Sequence, residues 1–357
     1  MAYYFLTASK DATVYLQQPN QNTGLDEVLE ISKIYYNNIK DISRALLKFE
    51  HGFVSKSISN GNMKLTEATL ILRETQSEEI PLEYTLYTYP ISQSWAMGKG
   101  TRFDEVSTQG VTWNSREGDS SLDWLPIGVF TVGSTGSAQG QGGVWYNNPT
   151  SSQYFNYQSA DINLDIKPLL RAWISGSIPN EGLIVKHSFE VENDTTEYGI
   201  VKVFSKETKT IYQPKIRIGW TDQTFTPGSL SGLTAEDIKV YVKNFKKEYK
   251  VGTTPKIRVY GRELYPLKTF SNSFAYGDIK YLPSSSYYQI KDFHSEDIIV
   301  PFGEYSKLSC DSNGNYFNLN LSNWEVNRVY KIEFKIDRGN DNIQYFDDDI
   351  TFTVLKD

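Results

Sequence analysis

Cysteine is almost missing from this chain of 357 residues: there is one, Cys310, alongside only three histidines and three methionines. A single cysteine excludes an intrachain disulfide framework, a cysteine zinc site and a cysteine-ligated iron–sulfur cluster. His51, His187 and His294 have no His or Cys neighbour at metal-ligand spacing, so the local zinc motifs are absent too. No apolar run approaches the roughly 18 residues of a membrane-spanning helix, and no membrane insertion is expected. The opening MAYYFLTASK lacks the charged segment and long apolar run of a secretory signal. Folding in a reducing cytoplasm is therefore expected, with Cys310 a small buried side chain in a strand. Basic charge is also short. Lys and Arg number 36 against 43 Asp and Glu, for a net charge of −7; the part through Phe225 carries −6 and the remainder −1. A sequence-independent nucleic-acid binder needs a basic footprint, so nucleic acid is not an expected partner. The local exception, Lys239–Lys250 (KVYVKNFKKEYK), interleaves lysines with Val240, Val242 and aromatics and reads as a strand with a solvated face.

What the chain has in quantity is aromatic side chains, 14% of residues, within an apolar fraction of 39% that excludes wholesale disorder. The length predicts two or three domains. Short runs rich in β-branched and aromatic residues recur between Gly, Pro, Asn and Ser. Lys64–Arg73, Leu82–Tyr89, Gly199–Phe204, Lys215–Trp220, Lys256–Tyr260 and Val329–Ile336 are examples. They predict strands, and without crossover helices between them the sheets should be antiparallel. A helix is expected over Ile162–Ser175, with Pro168 in its first turn and Gly176 as its stop. A short second helix or a turn is expected at Thr234–Ile238. The Pro/Gly/Ser-rich stretch at 224–234 is the expected linker between domains at 1–223 and 235–357. Gly128–Ser152 is too long for a hairpin turn and reads as a loop that is mobile or ordered by a partner. Asp347–Asp349 is expected at a hairpin tip.

No GxSxG, Walker A, HExxH or GxGxxG motif occurs. Asp161 with Asp165, Glu190 with Glu192 and Asp194, and Asp347–Asp349 could pair for glycoside hydrolysis, but solvated turn acids explain them more simply. Glu192–Asp194 and Asp337–Asp341 suit calcium in residue type and lack EF-hand spacing. Trp95, Trp113, Trp124 and Trp145, with Tyr146, Tyr154, Phe155 and Tyr157, would serve either as sugar-binding faces or as sandwich core. No residue is assigned as catalytic, cofactor-binding or metal-ligating, no cofactor is expected, and the chain is not expected to be an enzyme.

In the first part, Asp11–Asn22 with Gly24 and Val28–Ile31, then Ser43–Phe49 (SRALLKF), Leu65–Leu72 (LTEATLIL), Val111–Asn114 (VTWN), Ile162–Ser175 and Gly182–Lys186 (GLIVK) follow one another in order. This order resembles the DNRLRE-type β-sandwich domain, whose members show R-x-L-L-K-F, A-x-L-x-L, T-W-N and G-x-x-x-K at similar points. The resemblance covers about residues 2–221. The wording of Thr7–Thr13, the Asn-rich loop and Gly24–Glu30, with Ile298–Asp311 and Gly314–Leu319, is similar to structural proteins of tailed bacteriophages, nearest those of marine phages with contractile tails. With the strand-like runs of the last part, whose number suits an immunoglobulin-like sandwich, the expectation is an all-β, two-domain chain: an N-terminal DNRLRE-like antiparallel β-sandwich and a smaller C-terminal immunoglobulin-like β-sandwich. The phage resemblance implies a structural subunit of the virion neck, tail or baseplate, made in the host cytoplasm. Its partners would be other virion structural proteins and further copies of itself in a symmetric assembly. The alternative is a carbohydrate-binding adhesin module for a bacterial surface glycan.

Overall fold

The computed structural model describes residues 2–59, 64–78, 80–81, 83–118, 122–124, 141–156, 161–221, 225–228, 232–233, 237–243, 245–265, 280–322, 324–339 and 342–356. Strands hold 49% of the residues and helices 7%, so the chain is all-β, as the alternating runs predict. It divides into two compact units. The larger comprises Leu6–Ser59 and Glu67–Ile218. The smaller comprises Met1–Phe5, Asn60–Thr66 and Gly219–Asp357.

Eleven strands form the first sheet system: β1 (Ala2–Tyr15), β2 (Val28–Tyr36), β3 (Ile39–Phe49), β4 (Lys64–Leu72), β5 (Glu74–Glu78), β6 (Tyr84–Pro90), β7 (Ser151–Phe155), β8 (Ile162–Asp165), β9 (Leu183–Lys186), β10 (Gly199–Phe204) and β11 (Lys215–Thr221). The main order is β5-β10-β2-β3-β1-β11-β4-β8, while β9 pairs with β3 and β6, and β6 with β7. β3 is central because both of its faces are covered. Ala45, Leu47 and Phe49 on one face and Leu46 on the other are fully buried. It is therefore paired with β1, β2 and β9 rather than left at an edge.

The helix expected over Ile162–Ser175 begins later. Ile162 and Leu164 are buried while Asn163 and Asp165 are exposed, which is the period of a strand, and β8 pairs antiparallel with β4. The helix itself is α2 (Lys167–Ser175), after the shorter α1 (Gly52–Ser59). Proline sits in its first turn, Leu169, Leu170 and Trp173 face the core, and Gly176 ends it at φ +73°. The Asn-rich loop has a physical purpose. Buried Asn22 donates through Nδ2 to the Met97 and Val111 carbonyls, and its Oδ1 accepts from the Gly24 and Gly100 amides. One side chain thus fastens the strandless stretch around 96–111 to β1's following loop. The backbones approach so closely that a Cβ at position 24 would lie 2.2 Å from the Met97 carbonyl oxygen.

The smaller unit holds a four-stranded and a five-stranded sheet. Its strands are β12 (Ile238–Lys243), β13 (Glu248–Lys250), β14 (Lys256–Glu263), β15 (Ser286–Asp292), β16 (Ile298–Val300), β17 (Ser309–Asp311), β18 (Gly314–Asn318), β19 (Val329–Asp337) and β20 (Ile343–Leu355). The orders are β12-β14-β18-β17 and β13-β20-β19-β15-β16. Val240, Ile257, Val259 and Phe317 of one sheet share a core with Tyr288, Ile290, Ile332, Phe334 and Phe352 of the other. Tyr288 stacks on Phe317 at 4.0 Å between ring centroids. The single strand expected over Lys239–Lys250 is instead two, β12 and β13, which belong to different sheets. Cys310 is buried in β17. Asp347–Asp349 corrects the reading as a hairpin tip: these residues lie inside β20, beside a register shift opposite β19. Lys331 of β19 holds Asp347 and Asp349 at 2.6 and 3.2 Å, and that cross-strand pairing outweighs the turn-like composition. At 234–238, only Asp237 and Ile238 are described, and Ile238 opens β12; the rest of the expected short helix lies outside the described residues.

Candidate functional site

Three of the motif positions singled out in the sequence meet in the larger unit. Arg44 comes from the SRALLKF strand β3, Lys186 ends β9 (the GLIVK motif), and Trp113 belongs to VTWN. Arg44 and Lys186 share one partner, Glu192 on α3 (Phe189–Asn193), and Trp113 packs against Arg44; α3 is a single turn begun by Ser188, whose hydroxyl accepts from the Val191 amide at 3.2 Å. That turn aims Glu192 inward, where it is 2% exposed. Arg44 grips it with two parallel bonds, Nε to Oε1 at 2.9 Å and Nη2 to Oε2 at 2.8 Å. Lys186 Nζ reaches the same Oε2 at 3.0 Å and donates to the His187 carbonyl at 2.6 Å.

The aromatic walls complete the arrangement. The Arg44 guanidinium lies 4.6 Å from the Trp113 ring centroid and 5.2 Å from that of Trp145. Lys186 Nζ lies 5.0 Å from Trp145. Arg44 Nη1 donates to the Gly142 carbonyl at 2.8 Å. Gly142 has φ +69°, and a Cβ there would meet Arg44 Nη1 at 2.6 Å and the Trp113 ring at 2.8 Å. Only glycine lets the loop close over the cation this tightly.

Electrostatics follow from burial. Burial pushes the Glu192 carboxyl up, but Arg44 and Lys186 beside it more than offset this and hold it below its ordinary value. The same burial pushes Lys186 down to about 8, with Glu192 opposing and Arg44 adding to the effect. His187, next in sequence, is driven down to about 4 by burial and stays neutral at pH 7. Neither of its ring nitrogens has a hydrogen-bond partner among the described residues; it packs between Tyr84 and Tyr198. Lys33, fully buried, donates to the Asp194 and Thr196 carbonyls and lies 3.5 Å from the Asp194 carboxylate.

Above the network lies a pocket of about 150 Å³. Lys40, Ile42 and Arg44, alternate residues on one face of β3, form one wall. Trp113, Trp145, Phe189, Glu192 and Asn193 form most of the rest.

The remaining sequence candidates are scattered. Asp161 binds Arg73 and accepts from the Glu74 amide, and Asp165 accepts from the Lys167 amide. Both therefore serve local backbone and ion-pair contacts. Glu190 is exposed, and both oxygens of Glu192 face cations, which leaves Glu192–Asp194 poorly suited to calcium. Asp337–Asp341 is described only through Gly339. Among the described residues no group of three or more His, Cys, Asp or Glu side chains is placed to share a metal ion. His51 pairs with Asn180, and His294 lies in the turn after β15. Trp95, Trp113, Trp124 and Trp145 are only 2–5% exposed. Trp95 donates to the Glu181 carbonyl and Trp124 to that of Thr112. Phe155 stacks on Tyr84, Tyr154 is exposed, and Tyr157 lies outside the described residues, as does most of the Gly-rich loop. No protein-family model and no curated protein matches the chain. No helix among the described residues is long and apolar enough to cross a membrane.

Proposed function

We propose that this chain is a structural subunit of a tailed-phage particle, built into the neck, tail or baseplate in several copies and acting through protein–protein contacts. In this reading the larger unit is a DNRLRE-type sandwich and the smaller one an immunoglobulin-like sandwich. The observation that carries it is an exposed apolar pair near the start of β20: Tyr345 is 66% exposed, and Ile343, two residues before it, is exposed as well. An exposed aromatic beside an aliphatic side chain is the kind of anchor that another chain covers. Further support comes from the convergence of the motif residues Arg44 and Lys186 on the Glu192 carboxylate, with Trp113 against Arg44, which gives the family-like motifs a shared structural reason.

The test is to purify particles from the lysate that contains the protein, wash them in high salt and quantify the chain by mass spectrometry. The proposal expects it at a fixed copy number per particle. Recovery only in the soluble fraction would overturn it. A second reading, a glycan-binding adhesin module, is favoured by one observation, the pocket walled by Trp113 and Trp145.

A further inference from the structure

The loop at 101–107 holds large apolar groups out in water. Phe103 is 88% exposed and Val106 72%, with Asp104 and Glu105, both exposed, between them. The loop is fastened at both ends. The Arg102 amide donates to Asp26 Oδ1 at 3.0 Å, Gln21 Nε2 donates to the Thr101 carbonyl, and the Asn22 amide donates to that of Ser107 at 2.8 Å. The Arg102 guanidinium, 5.3 Å from the Phe103 ring centroid, pairs with Glu30 and leaves most of the ring bare. Exposed apolar side chains on a fastened loop suit a partner, because little ordering is left to be done on binding.

A surface of matching chemistry lies on the outer side of the sheet β12-β14-β18-β17. Ile238 and Val240 point to the core, so Lys239, Tyr241 and Lys243 point outward. The register sets Lys239 opposite Arg262 and Lys243 opposite Arg258, which brings four cations onto two neighbouring strands. Against them stand Asp311, which holds Arg258 and Lys256, and exposed Asp237. Among the described residues no carboxylate pairs with Lys239 or Lys243. Just past Arg262, Leu264 and Tyr265 are exposed, and the Leu264 amide donates to the Asp237 carbonyl at 2.9 Å, which keeps this apolar pair beside β12. The part of the chain through Phe225, which carries the loop, has a net charge of −6 and adds long-range attraction for a basic face. We propose that residues 103–106 of one copy dock on this face of a second copy, with Asp104 and Glu105 against Lys239 and Arg262 and with Phe103 and Val106 against Leu264 and Tyr265. Each copy offers one loop and one face, so the contact is heterologous and copies join head to tail. The proposal rests on the subunit reading, in which several copies share a particle.

Sedimentation velocity of the full chain tests it, with Glu105→Lys and Lys239→Glu, both at exposed positions. Wild type is expected to associate with a Kd on the order of 10 μM at low salt and to lose mass as salt is raised. Each variant alone, and Phe103→Ser, is expected to associate at least about tenfold more weakly. An equimolar mixture of Glu105→Lys and Lys239→Glu should regain mass, because the intact face of the first meets the intact loop of the second. If wild type stays monomeric up to about 100 μM, or if the variants associate as wild type does, the proposal falls, while the copy number per particle still decides the subunit reading. If the mixture stays monomeric, loop and face do not meet and the proposal falls. If wild type stays monomeric and takes up a single-stranded oligonucleotide that Lys239→Glu no longer binds, the partner of the face is nucleic acid and the proposal falls.

Discussion

At the scale of single residues, Glu192 is the group on which the most depends. It is the carboxylate shared by two buried cations, so Glu192→Gln leaves Arg44 and Lys186 without it. The expected loss is about 3–5 kcal/mol in urea denaturation, whereas Glu190→Gln, on the exposed side of the same turn, should change stability far less. Two other buried groups give a pH signature. Burial lifts Asp11 from 3.8 to about 7, partly offset by its bond from the Lys206 amide. Its contribution is full below its ordinary value and is lost as pH rises through 7. His187 is lowered from 6.5 to about 4, so its contribution is full above 6.5 and is lost as pH falls through 4. The two oppose one another in the same window and flatten the wild-type curve. Asp11→Asn should therefore be more stable than wild type at pH 8, on the order of 2 kcal/mol, with the gap closing toward pH 4. His187→Phe should instead gain relative stability toward pH 4. Denaturation midpoints across pH 4–8 check both signs. None of this was legible from the sequence. Arg44 and Glu192 are 148 positions apart, and a carboxylate between acidic neighbours looks like a solvated turn until the strands are paired.

At the scale of elements, the alternating runs were readable wherever one face is buried, and β3, β10 and β19 lie where their patterns put them. Two failures have physical causes. Ile162–Ser175 mixes a strand period with a helical one, and only the ladder to β4 decides that Ile162–Asp165 is extended. Asp347–Asp349 has the composition of a turn, yet Lys331 across the sheet neutralises it within β20. The stop of α2 was legible because Gly176 supplies the left-handed residue a helix end commonly uses. Gly176→Ala has open space for its methyl group but the wrong φ, and should cost about 1–2 kcal/mol. Gly142→Ala should cost more, since it adds contact with Arg44 and Trp113 to the same backbone strain. Thermal melts of the two variants side by side give the order.

At the scale of the whole molecule, the proposed subunit role rests on Ile343 and Tyr345, exposed near the start of β20. Tyr345→Lys removes the aromatic anchor and puts a charge in its place. It should leave the fold intact by circular dichroism and weaken association by about 2 kcal/mol or more. The central claim is that the chain is a subunit, and light scattering tests it most directly. The purified chain is measured alone and after mixing with particles dissociated from the lysate that contains it. The account predicts that the 40.8 kDa chain enters a species of much higher mass, and that Tyr345→Lys enters it less. A chain that keeps its monomer mass in the mixture would contradict the account.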